Sequence, residues 1–219
     1  MNFYQHLQQA TASERGDLLA APLISAALAG SVTRGNYVSF LTRAYHHVKH
    51  TVPLLMACGA RLPDEQEWLR SAVAHYIEEE IGHHEWILND IDAAGGNAAA
   101  VRASQPDFAT DVMVAYAYDT VARRNPIGFF GMVYVLEGTS VSLASQVAGV
   151  LEKAIDLPPT AFSYLSSHGA LDIEHIGHFE KLVNRFEKEE DREAVVSGAK
   201  TFFRLYGNVL RSIDLQEAA

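Results

Sequence analysis

Residues 166–180, "SSHGALDIEHIGHFE", gather imidazole and carboxylate groups in one short stretch. His168, Asp172 and His175 follow one another at intervals of four and three residues, which places them on one face of a helix. Leu171 and Phe179 give the same helix an apolar side. The polar face is either a solvated helix surface or a set of side chains that binds a metal ion.

A second stretch, "HYIEEEIGHHEWILNDI" at 75–91, contains Glu80 and His83 as a Glu-x-x-His pair. On a continuous helix this spacing lets one carboxylate and one imidazole bind the same metal, as in carboxylate-bridged di-iron bundles. The alternative is a charged surface turn, because further glutamates surround the pair. Gly82 within a helix costs up to about 1 kcal/mol relative to alanine, which is best tolerated where another group packs closely.

Glu137 is the only carboxylate between Asp119 and Glu152, and it lies in the middle of an apolar helical segment. A buried carboxylate without a partner is costly or stays protonated. Glu137 therefore needs a partner, which is a metal ion or, alternatively, an arginine or tyrosine side chain.

The three segments together supply three carboxylates and three imidazoles, and no thiolate. Hard oxygen and borderline nitrogen ligands suit iron or manganese better than structural zinc. Six such ligands fit two metal ions and leave open positions for dioxygen and a substrate. The candidate ligands are Glu80, His83, Glu137, His168, Asp172 and His175.

This set, in this order along the chain, resembles the heme-oxygenase-like di-iron oxidases, which are related in fold to thiaminase-II-like (TenA) and pyrroloquinoline-quinone synthase (PqqC) proteins. "EIGH" corresponds to the family's glutamate and histidine on one helix, and "YVLEGTS" to its glutamate on a later helix. "HGALDIEH" corresponds to its His-x3-Asp-x2-His element. Because the spacing of the first element varies in the family, Glu79 and His84 are alternative ligands.

The resemblance implies an all-α, seven-helix heme-oxygenase-like fold with a labile di-iron (Fe or Mn) centre. It implies an enzyme that uses O2 as co-substrate to oxidise a small organic molecule, such as an amino acid, a fatty acid or an aromatic precursor. It also implies a homodimer and leaves room for an electron donor.

The helices that would position these groups follow from 3.6-residue periodicity, because strand signals are almost absent. Pro53 is expected to bend the second helix, and Asn125 with Pro126 is expected to start the fifth. We predict seven helices over about 13–29, 34–57, 63–93, 106–123, 126–155, 160–188 and 192 to the end. They are expected to form one domain over 1–219.

The chain has 219 residues and a formal net charge of −10, which argues against a nucleic-acid partner. The start of the sequence lacks the pattern of a signal peptide, and no apolar run of about 18 residues for a membrane span is evident. We therefore expect a cytoplasmic protein without a membrane partner. Its single cysteine, Cys58, lies in an apolar run and is expected to be a small buried residue.

Residues near the candidate ligands are expected to include the walls of a substrate pocket, although core packing explains each of them singly. In "RAYHHVKHTVPLL", His46 and His50 share a helix face, and Lys49 is a candidate to hold a substrate carboxylate. The pocket candidates are Tyr45, His47, Lys49, His50, Tyr76, Phe130, Tyr134 and Tyr164.

Other functions remain open. A ferritin-like di-iron bundle would need a carboxylate on its first core helix, but 33–57 contains none. A TenA-like hydrolase would use a cysteine late in the chain, whereas Cys58 is early, and a heme oxygenase would need a proximal histidine, for which His6 is available. A cofactorless PqqC-like oxidase and a non-enzymatic metal-binding or partner-binding helical protein are the remaining alternatives.

Overall fold

The computed structural model describes residues 1–216, apart from the side chains of residues 168–174. Every regular element in this range is helical, so the all-α prediction is confirmed. The α-helices are α1 Phe3–Ala10, α2 Ala12–Leu19, α3 Pro22–Leu28, α4 Arg34–Val48, α5 Thr51–Arg61, α6 Glu67–Glu80, α7 His83–Ala93, α8 Ala98–Ala103, α9 Phe108–Arg123, α10 Phe130–Ala154, α11 Ser163–Val183 and α12 Glu189–Arg211. Short 3₁₀ turns at Asp64–Gln66, Pro126–Phe129 and Pro159–Phe162 lead into α6, α10 and α11.

The prediction of seven helices was wrong, because several predicted helices are divided. The predicted helix over 34–57 ends at Val48 and restarts at Thr51. The nitrogen of Pro53 has no hydrogen to donate to the carbonyl of Lys49, so the ladder of helical hydrogen bonds is interrupted there. Proline is tolerated in the first turn of the new helix, where backbone N–H groups have no helical partner.

The segment from Pro126 to Ala154 is the central helical element. Its start agrees with the prediction, since the Asn125 side chain accepts a hydrogen bond from the backbone N–H of Ile127. Glycines let its first turns touch α12 backbone to backbone: a Cβ atom on Gly131 would lie 2.3 Å from the backbone nitrogen of Ala199. This close approach fixes the position of α10 against α12.

Contrary to the sequence-based expectation, this segment is long and apolar enough to span a membrane by length and composition, with a hydropathy of 1.4. However, 56% of its most apolar window is buried inside the protein, as is typical of a core helix. It packs against α11 and α12. Large aromatic side chains fill the surrounding core: Phe129, Phe130, Phe162, Phe179, Phe186 and Phe202 are all fully buried.

Candidate functional site

Glu80 and His83 meet at a break between two helices. Glu80 is the last residue of α6 and His83 the first of α7, so the prediction of one continuous helix was wrong. The backbone of Ile81 is extended. Gly82 has a φ of 94°, a backbone conformation that residues with a side chain rarely adopt. A Cβ atom on Gly82 would meet no atom within 4 Å, so this glycine is needed for its backbone conformation and not for close packing.

The break brings the two side chains together in a buried position. The Oε2 atom of Glu80 lies 3.2 Å from the Nδ1 atom of His83, and the side chains are 10% and 3% exposed. The indole ring of Trp86 covers His83, with 4.2 Å between ring centroids. The pair is therefore a fixed, largely water-excluded carboxylate–imidazole arrangement.

Glu137 lies in the middle of α10 and is 8% exposed, as the apolar sequence around it predicted. Its neighbour is His175 of α11, which is 3% exposed. The Nδ1 atom of His175 lies 3.8 Å from the Oε1 atom of Glu137. Two predicted ligands from two helices are thus adjacent.

Glu79 lies next to the same histidine. Its Oε2 atom is 3.4 Å from the Nε2 atom of His175, and its Oε1 atom is 3.3 Å from the Nε2 atom of the exposed His75. His84, the other alternative ligand, faces the surface instead, where its Nε2 atom lies 3.2 Å from Oε1 of Glu85. Glu79 consequently stays a candidate ligand, whereas the position of His84 favours a surface role.

His168 and Asp172 belong to the part of α11 whose side chains lie outside the described residues. Among the side chains that are described, no group of three or more histidines, cysteines, aspartates or glutamates is arranged to hold a metal ion. The di-iron centre therefore stays a prediction. The donor set nevertheless fits iron or manganese, because buried carboxylates and imidazoles stand side by side at Glu80–His83 and Glu137–His175.

Asp90 on α7 positions the helix that carries the His-x3-Asp-x2-His element. Its carboxylate accepts hydrogen bonds from the backbone N–H groups of Ser163 and Tyr164, at 3.2 and 2.8 Å, and from the Ser163 hydroxyl. Burial raises the pKa of Asp90, and the hydrogen bonds oppose that shift. Sequence reasoning missed this residue because the helix start that it caps is more than seventy positions away.

A cavity of about 160 Å³ adjoins these pairs. Glu80 and Glu137 both line it, which places the two predicted ligands on one cavity. Of the predicted pocket residues, His47, Tyr76 and Tyr164 are in its wall, and the Tyr76 ring is 6.1 Å from that of His175.

The remaining pocket candidates do not line this cavity: Tyr45, Lys49, His50, Phe130 and Tyr134. The Phe130 ring packs edge-on against Phe186 and the Tyr134 ring stacks on Phe179, which is core packing. His50 pairs with the Tyr118 hydroxyl at 3.0 Å.

Lys49 is held away from the cavity by His46. Its ammonium donates to Nδ1 of His46 at 3.1 Å and lies over the Tyr45 ring at 5.1 Å. The Nε2 atom of His46 is 2.9 Å from the hydroxyl of Ser104, which itself donates to a backbone carbonyl. His46 is thus a neutral imidazole that accepts at Nδ1 and donates at Nε2. Burial, together with the charge of Lys49, lowers its pKa to about 4.

Cys58 is fully buried, as predicted, and burial raises the pKa of its thiol to about 12. A thiol is nucleophilic as the thiolate, so the burial and the raised pKa argue against a nucleophilic role for this cysteine at neutral pH. Its S–H group donates to the carbonyl of Pro126, with 3.5 Å between sulfur and oxygen.

Comparison with known protein families identifies the family of this chain. A family model described as "Iron-containing redox enzyme" matches residues 38–207, a range that includes every predicted ligand. The chain belongs to this family. The family description names iron, and carboxylate and imidazole groups such as those around the cavity are common iron ligands. No curated protein matches the sequence.

Solved structures confirm the heme-oxygenase-like fold. A domain of unknown function with this fold from Shewanella denitrificans aligns with a TM-score of 0.84 at 25% identity, over 97% of this chain and 92% of that one. A TenA homologue from Pseudomonas syringae gives 0.77 at 12% identity, over 95% and 91% of the two chains. Heme oxygenase-1 from Synechocystis, solved with heme, gives 0.74 at 14% identity, over 98% and 93%.

Proposed function

We propose that the protein is an O2-dependent non-heme iron oxidoreductase that oxidises a small organic molecule in the cavity. The observation that carries this proposal is the pairing of buried carboxylates with imidazoles where α6, α7, α10 and α11 meet. Membership of a family described as iron-containing redox enzymes supports the same chemistry.

Two iron ions, or manganese in their place, would be held by the three sequence elements. Glu80 and His83 supply one pair and Glu137 and His175 another, with Glu79 as an additional carboxylate. His168 and Asp172, whose side chains are outside the described residues, would complete the set. Bound iron supplies the capacity to react with O2, and an electron donor would restore its reduced state.

The chain's own residues contribute orientation and exclusion of water. Trp86 packs on His83 and limits the rotation of its ring. The Asp90 cap fixes the start of α11 and therefore the direction in which His175 projects. The apolar cavity wall keeps bulk water from Glu80 and Glu137, which strengthens the electrostatic interactions of both carboxylates.

A titration that follows the fluorescence of Trp86 tests metal binding without any assay of activity. The chain has two tryptophans, so Trp68→Phe leaves Trp86, stacked on His83, as the sole indole. We expect Fe(II) or Mn(II), added anaerobically, to quench this fluorescence in a saturable manner. Unchanged fluorescence together with no bound metal by elemental analysis would contradict the proposal.

Matched variants make the titration specific. His83→Gln is expected to weaken metal binding at least about tenfold, whereas His84→Gln should not, because the His84 side chain is 36% exposed. Glu80→Gln and Glu78→Gln form a second pair on α6, because Glu78 is exposed. Equal effects within each pair would show that the buried pair is not a ligand pair.

A metal-free activity is the second candidate, favoured by the likeness to a TenA homologue over 95% of the chain. A TenA-like hydrolase or a PqqC-like cofactorless oxidase would function in the presence of chelators. The buried thiol of Cys58 argues against a cysteine nucleophile at that position. Turnover that survives exhaustive metal removal would favour this candidate over the iron-dependent one.

A further inference from the structure

The cavity is elongated along α10. Glu137, Ser140, Ala144, Val147 and Leu151 all line it, and their spacing of three and four residues forms one stripe of the helix. At the rise of an α-helix, the stretch from Glu137 to Leu151 is about 21 Å long. An occupant of this space is therefore long and narrow, with room for an extended chain.

The part of the cavity beyond Ser140 is apolar. The wall there includes aliphatic side chains from two helices, Leu23, Ile24 and Ala27 of α3 with Leu143, Ala144, Val147 and Leu151 of α10. Such a wall stabilises only apolar groups, because a polar group placed against it would lose its hydrogen bonds to water.

Two polar residues in the wall have hydrogen bonds to other parts of the protein. The Tyr37 hydroxyl donates to the carbonyl of Ala161 at 2.7 Å. The Asn36 amide donates to the carbonyl of Asp214 at 2.7 Å, and its oxygen accepts from the backbone of Thr33. The Tyr37 hydroxyl thus uses its hydrogen within the protein, and the Asn36 side chain is anchored at both its nitrogen and its oxygen.

The charge of the lining selects against an anionic head. Among the lining residues that the structure describes there is no lysine or arginine, and the carboxylates are Glu80 and Glu137. Lys49 is bonded to His46 and does not line the cavity, so the predicted role of Lys49 in binding a substrate carboxylate is not supported. In the metal-free protein, a carboxylate brought to this place would be desolvated beside two further carboxylates.

Ser140 offers a polar contact one helical turn from Glu137. Its Oγ atom is buried and has no hydrogen-bond partner among the described residues. A hydroxyl group of an occupant would satisfy it.

We propose that the cavity binds a straight-chain amphiphile whose head carries no negative charge, with the head beside Glu137 and Ser140 and the chain along α10 toward Leu151. The claim that this amphiphile is the substrate rests on the proposed function, the oxidation of a small organic molecule. The claim that the cavity binds it does not depend on that function, since the apolar wall is present without metal. The two proposals can therefore fail separately.

Calorimetric measurement of binding to the metal-free protein tests which head group and which chain length the cavity prefers. With 1-decanol and decanoate as probes of equal length, we expect the alcohol to bind at least about tenfold more tightly than the carboxylate. Affinity should rise from 1-hexanol to 1-decanol, because each added methylene buries apolar surface. Equal or tighter binding of decanoate to the metal-free protein would overturn the proposal, as would absence of alcohol binding.

Substitutions in the stripe test the location. Ala144→Phe should lower the affinity for 1-decanol at least about tenfold and leave that for 1-hexanol within about twofold. Ser140→Ala should lower the affinity for both alcohols about three- to tenfold. Gly149→Ala is the control on the same helix, because Gly149 is exposed and a Cβ atom there meets nothing within 4 Å. If Ala144→Phe unfolds by circular dichroism, Val147→Phe replaces it.

The outcomes separate the two proposals. Alcohol binding that Ala144→Phe abolishes, in a protein that binds no iron, would support the cavity inference and contradict the proposed function. Normal iron binding with no effect of Ala144→Phe on 1-decanol would contradict the cavity inference alone.

Discussion

Glu80 and His83 face each other across a helix break, with Oε2 of the glutamate 3.2 Å from Nδ1 of the histidine. The pair owes its geometry to the two residues between them, because Gly82 has a φ of 94°. A non-glycine residue in the left-handed region costs about 1–2 kcal/mol. The break is therefore part of the candidate site and not an irregularity beside it.

Gly82→Ala is expected to lower the free energy of unfolding by about 1–2 kcal/mol and to weaken metal binding, because the backbone strain is relieved by moving Glu80 away from His83. Urea denaturation and the Trp86 titration measure the two effects. Gly149→Ala, in an exposed helical position, should instead raise stability by about 0.5–1 kcal/mol. A Gly82→Ala variant as stable as the wild type would contradict the assignment of strain.

Asp90→Ala is expected to lower the free energy of unfolding by about 1–3 kcal/mol, because the start of α11 loses the carboxylate that accepts from Ser163 and Tyr164. Metal affinity should fall as well, since α11 carries His175. Thermal denaturation compares this variant with Asp111→Asn, whose position is exposed. Similarly small losses of stability in both variants would contradict the positioning role of Asp90.

The stability of the fold should depend on pH through His46. Burial and Lys49 lower its pKa to about 4 from 6.5, so the unfolded state takes up the proton first as pH falls. Its contribution is complete above pH 6.5 and is lost as pH falls toward 4, by up to about 3 kcal/mol. Urea denaturation of His46→Gln should show a correspondingly smaller loss over this window. Identical pH profiles in variant and wild type would refute the neutral buried imidazole.

Cys58 should resist alkylation in the native protein, because burial raises the pKa of its thiol to about 12. Iodoacetamide at neutral pH is expected to modify it only after unfolding by urea, as followed by mass spectrometry. Rapid modification of the folded chain would contradict this and would reopen a nucleophilic role for this residue.

The sequence was informative wherever one helix dominated. The start at Asn125 and Pro126, the burial of Glu137 and the helical character of nearly every segment follow from local patterns. The number of helices does not follow from local patterns. In the sequence, Gly82 cannot be told from an ordinary glycine within a helix, and only its φ of 94° shows that the helix ends there.

Contacts between distant segments were also beyond sequence reasoning. Nothing local to Asp90 indicates that it caps α11. The pairing of Lys49 with His46, which removes Lys49 from the cavity, likewise depends on how the side chains of α4 pack against Ser104.

The iron content of the protein tests the central claim most directly. After anaerobic loading with Fe(II) and removal of free metal by gel filtration, we predict about two irons per chain in the wild type. Glu137→Ala should retain its helical circular dichroism and lose most of this iron, whereas the surface variant Glu78→Gln should keep it. A wild-type protein that retains no iron, or a Glu137→Ala variant that binds as much as the wild type, would contradict the account.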